Sequence, residues 1–205
     1  MADKDYTDAF TLPEGRVINQ SLFVKDAYNE KSTPAYKIEM AFDDNEDFAD
    51  FESFLYEAAE AHFGREYEDG DLKLPILEGD KLAKKREKKE KDGSAYKGKF
   101  VVRASTIYNR DGDDAPGGIQ VLDEDAEDIL PVRKGEIYNG CLGIMGVTIG
   151  FYETDDGDDA VKLYLAAFQK TGDGERLRSS QDRSGLFKPV GRQAGEENSQ
   201  RRRRG

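Results

Sequence analysis

Apolar and polar residues alternate along most of this chain with the period of two that strands impose, and only once with the period of a helix. Residues 16–27 place Ile18, Leu22 and Val24 on one face and Phe23 and Lys25 on the other. Residues 35–42 put Tyr36, Ile38, Met40 and Phe42 on one face and Lys37 on the opposite one. The turn-rich YNEKSTP between them predicts a hairpin. The step then changes: Phe48, Phe51, Leu55, Ala58 and His62 recur every three or four residues. An N-cap is on offer at 43–45 and Gly64 is a stop, so a helix is predicted over residues 46–63. Alternation returns at 96–108, briefly at 117–122, and in two long runs at 142–153 and 160–170.

Parity within these runs separates core from surface. In 96–108, Phe100, Val102 and Ala104 share a face, while Lys97, Lys99 and Arg103 share the other. In 142–153, Met145, Val147, Ile149 and Phe151 point inward, and Gly146, Thr148, Gly150 and Tyr152 point outward. In 160–170, Val161, Leu163, Leu165 and Ala167 are assigned to the inside, leaving Lys162, Tyr164, Phe168 and Lys170 outside. Rings flanked by ammonium groups on a sheet face are how proteins hold single-stranded nucleic acid, because bases stack on rings whatever their identity and cations track phosphates. The outer glycines would let a nucleotide approach the sheet closely. The predicted binding surface is Phe23, Lys25, Lys37, Lys97, Lys99, Arg103, Tyr152, Lys162, Tyr164, Phe168 and Lys170. Cross-strand packing is the competing role for every ring. Tyr36, Phe42, Phe100 and Phe151 share faces with aliphatic residues and are assigned to the core, while Tyr138 fits either role.

Net charge opposes this reading only until the charge is located. The net charge is −12, but the acid sits in blocks at 43–47, 66–71, 111–114, 123–128 and 153–159, between the periodic segments. The strands themselves are neutral or basic, which leaves an acidic body with a cationic groove. The run at 81–91 holds seven Lys/Arg and two Glu. It is expected as a basic loop at about 81–92, an exposed helix or an arm rather than a packed element. From residue 171 no period survives, which predicts a disordered tail. That tail carries nine Lys/Arg against five Asp/Glu, a local +4 that leaves −16 to residues 1–170. With 205 residues, 36% charged and 37% hydrophobic, the chain fits one domain with excursions.

Catalytic chemistry has few carriers. The sole histidine, His62, sits in the helical pattern, and the sole cysteine, Cys141, between Gly140 and Leu142 reads as a small packed residue. No Gly-rich phosphate loop is present, and DGDDAPGG and ETDDGDDA miss the spacing of a calcium loop. The carboxylate blocks keep a metal-dependent nuclease or other DNA-processing enzyme as an alternative, and the ring-rich face keeps a non-DNA adaptor as another. No cofactor is expected. No apolar run approaches the roughly 20 residues of a membrane span, and MADKDYTDAF lacks the apolar region of a signal peptide. With a single thiol, a reducing cytoplasm is the expected location.

Three pieces of the chain give it a family likeness: AYKGKFVVRAST, then EIYNGC before a V-x-x-x-F-Y strand, then Gln169-Lys170 before DGE-x-L at 173–177. In this order they resemble the OB-fold single-stranded DNA-binding proteins of tailed bacteriophages, and GRVINQSLFVKDAYNEKSTPAYKIEMAF is similar to that family's opening hairpin. The resemblance implies a mainly β, five-stranded Greek-key barrel over residues 1–170, with one inserted helix and the tail at 171–205. It also implies non-enzymatic coating of single-stranded DNA, without sequence preference, as an early protein of phage replication and recombination. Phage or host replication and recombination proteins are the implied partners; a homodimer is left open, and no membrane is involved. The last thirty or so residues fall outside it. Several such families end in an acidic segment, whereas this chain ends in SQRRRRG.

Overall fold

The computed structural model describes residues 8–27, 32–68, 70–108 and 119–177. In chain order the elements are β1 (Phe10–Thr11), β2 (Gly15–Asp26), β3 (Ala35–Phe42), α1 (Glu46–Phe63), β4 (Ile76–Glu78) and α2 (Gly79–Glu87). Then follow a 3-10 turn (Ser94–Tyr96), β5 (Phe100–Thr106), β6 (Gln120–Leu122), a second 3-10 turn (Pro131–Glu136), β7 (Leu142–Glu153) and β8 (Asp159–Gly172). Five strands close on themselves in the order β7–β2–β3–β5–β8–β7. Every neighbouring pair in this ring is antiparallel except β5 and β8, which run parallel through Ala104 and Leu163. This is the closure of an OB-fold barrel, as the alternation and the family likeness led us to expect. The three short strands lie beside the ring: β1 on β7, β4 on β5, and β6 on β8.

The barrel interior is filled by alternate residues of each strand. Val17 and Leu22, Ile38 and Met40, Val102 and Ala104, Val147 and Ile149, and Leu163 and Leu165 are all buried there. α1 closes the barrel end where β3 stops and β5 begins. Its start is fixed by Asn45, whose side chain accepts from the Phe48 N–H at 3.0 Å, and its stop by Gly64 at φ 70°. Phe48, Phe51, Leu55 and Ala59 form its buried stripe, and Phe48 stacks on Phe100 with centroids 4.8 Å apart. His62 stands at the edge of that stripe, exposed, stacked 4.3 Å from Phe151.

Several sequence expectations need correction. The lysine-rich run is a packed helix: Ala83 is buried and Leu82 half-buried in a second cluster outside the barrel, with Ile18, Ala41, Tyr96 and Val101. Two apolar side chains suffice because α2 lies along a wall whose outward residues at that end are themselves apolar. The strand expected at 96–108 starts only at Phe100. In β2, Val17 pairs with Met40 but Asn19 with Glu39, so Ile18 is an extra residue that leaves the barrel for the outer cluster. Beyond Ser21 the register shifts again, and Val24 is 65% exposed instead of inward. The chain also stays ordered past residue 171. β8 runs to Gly172, and residues 173–177 cross the turn before β7: the Leu177 N–H donates to Asn139 O at 2.8 Å and Arg16 to Glu175 O at 2.7 Å. The arginines at 201–204 and the acidic block at 111–114 lie outside the described residues. Among the described residues no helix is long and apolar enough to cross a membrane.

Candidate nucleic-acid interface

The register of the ring brings part of the predicted surface together. Lys37 on β3 pairs with Ser105 on β5, and Tyr164 on β8 pairs with Thr148 on β7. Since Ala104 faces Leu163 across the parallel junction, one step along both strands sets Ser105 beside Tyr164. One outward row therefore reads Lys37, Ser105, Tyr164, Thr148. The row next to it reads Glu39, Arg103, Lys162, Gly150, with Arg103 and Lys162 separated where Pro75 O accepts from the Arg103 N–H at 3.4 Å. Tyr152, 49% exposed, follows on β7.

Tyr164 is the central feature of this band. A Cβ on Gly150 would overlap its ring, so the missing side chain is what lets the ring lie flat on the neighbouring strand. The room expected there for a nucleotide is thus taken by the protein's own ring. The Lys162 ammonium lies 4.9 Å from the Tyr164 centroid, a cation–π contact that sets positive charge beside an aromatic surface. Arg103 pairs with Glu39 at 2.6 Å and Lys37 with Asp26 at 2.5 Å, so both cations are oriented by neighbours that phosphates would have to compete with. The acidic turn at 154–158 borders one end of the band, and the exposed Ile107 and Tyr108 follow β5 at the other. α2 adds a basic shelf where the β3–β5 wall is covered, with Lys84, Lys85 and Lys88 all exposed.

The other predicted residues stand elsewhere. Phe168 is completely buried, not outward. Gly146 pairs with Ala167 but Val147 with Leu165, so Ala166 is an extra residue on β8 that resets the alternation. Phe168 therefore turns into the barrel opposite Met145, its ring filling the space a Cβ on Gly143 would need. The same reset removes Lys170 from the outer face. Its side chain is 13% exposed and pairs with Asp173 at 2.7 Å and Glu124 at 3.6 Å. The bond to Asp173 raises the Lys170 ammonium above its ordinary pKa, and Lys170, then Tyr138, hold the Asp173 carboxyl below its own.

Lys97 and Lys99 precede β5 and sit against α2 and the entry to α1. Lys97 bonds Glu87 at 2.8 Å, which raises its pKa, and Lys99 pairs with Asp43. Phe23 is half-buried against the main core, and the Lys25 ammonium lies 5.5 Å from the ring of buried Tyr36. Tyr138 is structural: its hydroxyl donates to Asp173 at 2.9 Å and Arg176 covers its ring at 3.8 Å. A further exposed ring that the sequence did not single out is Tyr108, 58% exposed. Its parity matches the inward residues of β5, but it lies past Thr106, the last residue of that strand. The strand's length, not its alternation, was the signal needed.

Comparison with known proteins gives a consistent picture. The family described as Enterobacter phage Enc34, ssDNA-binding protein, matches residues 14–198. Among solved structures, the single-stranded DNA-binding protein from bacteriophage Enc34 in complex with ssDNA aligns with a TM-score of 0.63 at 16% identity, over 83% of this chain and 89% of that one. A C-terminal truncation of the Enc34 protein gives 0.60 at 17% identity, over 82% and 88%. The gp2.5 single-stranded DNA-binding protein of bacteriophage T7 gives 0.55 at 13% identity, over 90% and 97%. At such identities the structural likeness is one of fold. No curated protein sequence matches the chain.

Proposed function

The chain belongs to the family of the single-stranded DNA-binding protein of Enterobacter phage Enc34, and on that premise we propose that it coats single-stranded DNA across the outer band of its barrel. It does so without sequence preference and without catalysis, in phage DNA replication and recombination in the host cytoplasm, where replication and recombination proteins are its further partners. The observation that carries the site is the Tyr164 ring spread over Gly150 with the Lys162 ammonium beside it. Bases stack on Tyr164, and on Tyr152 or Tyr108 where the strand passes them. Lys162, Arg103 and Lys37 follow the phosphates. Each stacked base contributes about 1–3 kcal/mol and is indifferent to base identity. The acidic turn at 154–158 repels phosphate, so the strand crosses β3, β5 and β8 instead of running toward that turn.

Fluorescence-anisotropy titration with oligo-dT and with a duplex of equal length, over a range of salt, tests the reading. Single strands bind far more tightly than duplex, whose bases cannot reach the rings. Log affinity falls with log salt by about 0.7 per phosphate contact. Equal affinity for the two forms would remove stacking as the basis of binding.

A further inference from the structure

An open groove of about 540 Å³ lies between the N-terminal approach to the barrel and the first turns of α1. Its floor is aromatic. Phe10 and Phe54 meet edge-to-face with centroids 5.0 Å apart, Phe51 closes the bottom, and Phe54 remains 41% exposed. Its rim is acidic, formed by Glu14, Asp47 and Asp50, and among the described residues no lysine or arginine lines it. An exposed aromatic floor ringed by carboxylates selects a ligand that is apolar in the middle and cationic at its edges.

The chain contains one such segment beyond Leu177. Residues 178–205 carry eight Lys/Arg against three Asp/Glu, and their only large apolar side chains are Leu186, Phe187 and Val190. These are interleaved with Arg183, Lys188 and Arg192. We propose that residues 183–192 dock into this groove of the same chain, with Leu186 and Phe187 on the phenylalanine floor and the basic residues against Glu14, Asp47 and Asp50.

The geometry of the exit favours this occupant. Residue 175 is held by Arg16, two positions after Glu14, and Thr171 donates to Glu14 at 2.5 Å, so the end of β8 passes the groove wall before Leu177, the last described residue, packs against the outer cluster. The eight residues from 178 to 185 span up to roughly 30 Å at about 3.3–3.6 Å each. A tether of that length keeps the segment at about millimolar effective concentration. The family match, moreover, continues through this segment and stops at residue 198, before the four terminal arginines. The chain's own N-terminal residues are the weaker occupant, because their aspartates would meet a rim of the same sign.

The full-length chain with Phe187 replaced by photoreactive p-benzoylphenylalanine tests the assignment. Irradiation followed by mass spectrometry should give an intramolecular crosslink to residues 10–14 or 47–54. Phe54→Asp, at a position exposed enough to leave folding intact, should reduce that crosslink by roughly tenfold or more, since it sets like charge and lost apolar contact against the segment. A circular-dichroism melt checks that the variant is folded. Molar salt should also weaken it, because the Debye length falls to about 3 Å. A crosslink found mainly between two copies would overturn docking in the same chain. Crosslinks to other surfaces, or none, would overturn the groove.

Discussion

Tyr164 and Phe168 stand four residues apart on one strand and differ only by a hydroxyl, yet one ring lies on the outside of the barrel and the other inside it. The cause is Ala166, the extra residue opposite Gly146. Before it, strict alternation holds and Tyr164 spreads over Gly150; after it, Phe168 turns inward over Gly143. A bulge bends a strand as well as resetting its faces, and a small closed barrel needs that bend. One insertion thus decides which ring stays on the outer face and which joins the core.

The largest expected effect comes from breaking the inner half. Phe168→Ala should destabilise the protein by about 3–5 kcal/mol, as a buried aromatic truncation does, measured by urea denaturation. The affinity of the remaining folded protein for oligo-dT should not change. A variant that unfolds normally but binds poorly would put Phe168 on the outside after all.

Deleting Ala166 sharpens the same point. Removing the extra residue restores strict alternation and still leaves Phe168 inward, so cooperative unfolding should survive with a smaller loss than Phe168→Ala. The remaining loss reflects the missing bend. Complete failure to fold, while Phe168→Ala folds, would show that the bend matters more than the ring.

On the outer half, Tyr164→Ala should weaken oligo-dT binding by about 1–3 kcal/mol with little change in melting temperature, while Tyr164→Phe should retain most of the affinity because the stacking surface is kept. Early melting with normal binding would make Tyr164 a packing residue and move the interface elsewhere on the barrel.

The contrast also marks what could be read from the amino-acid sequence. Strands β3 and β7 and helix α1 were legible, because uninterrupted period and plain caps at Asn45 and Gly64 fix them locally. The closed ring was legible from the order of pieces that the phage family shares. Bulges were not: nothing in LYLAAFQK marks Ala166 as the extra residue, since its position depends on what stands opposite in β7. The two small side chains of Ala166 and Ala167 are consistent with a bulge but equally with plain strand. Nor could the lysine-rich run be placed, since Leu82 and Ala83 become a packing face only when Ile18 and Val101 turn outward to meet them. For the candidate site, Lys37, Arg103, Tyr152, Lys162 and Tyr164 precede every disturbance or stand on undisturbed strands. Phe168 and Lys170 follow the bulge, and Lys97 and Lys99 precede the true start of β5. The departures in strand placement therefore cluster where alternation was carried past a point at which long-range pairing ends it.

The smallest effect compares the two lysines of the same strand. Lys162 lies on the outer band beside Tyr164, whereas Lys170 is enclosed by Asp173 and Glu124. Lys162→Gln should lower the salt dependence of oligo-dT binding by about 0.7 in log–log slope, the share of one phosphate contact on a single strand. Lys170→Gln should leave that slope unchanged and register in stability alone. Its pH signature follows from the two shifts. The Asp173 carboxyl is held below its ordinary pKa, so its contribution is present at neutral pH and disappears as pH falls through that lowered value. The Lys170 ammonium is held above its ordinary pKa, so its contribution persists from neutral pH upward and disappears only as pH rises through the raised value. The melting-temperature difference between the native chain and Lys170→Gln should accordingly be flat from about pH 5 to 9 and shrink at both extremes. A salt slope that falls for Lys170→Gln and not for Lys162→Gln would invert the assignment of the strand's two halves.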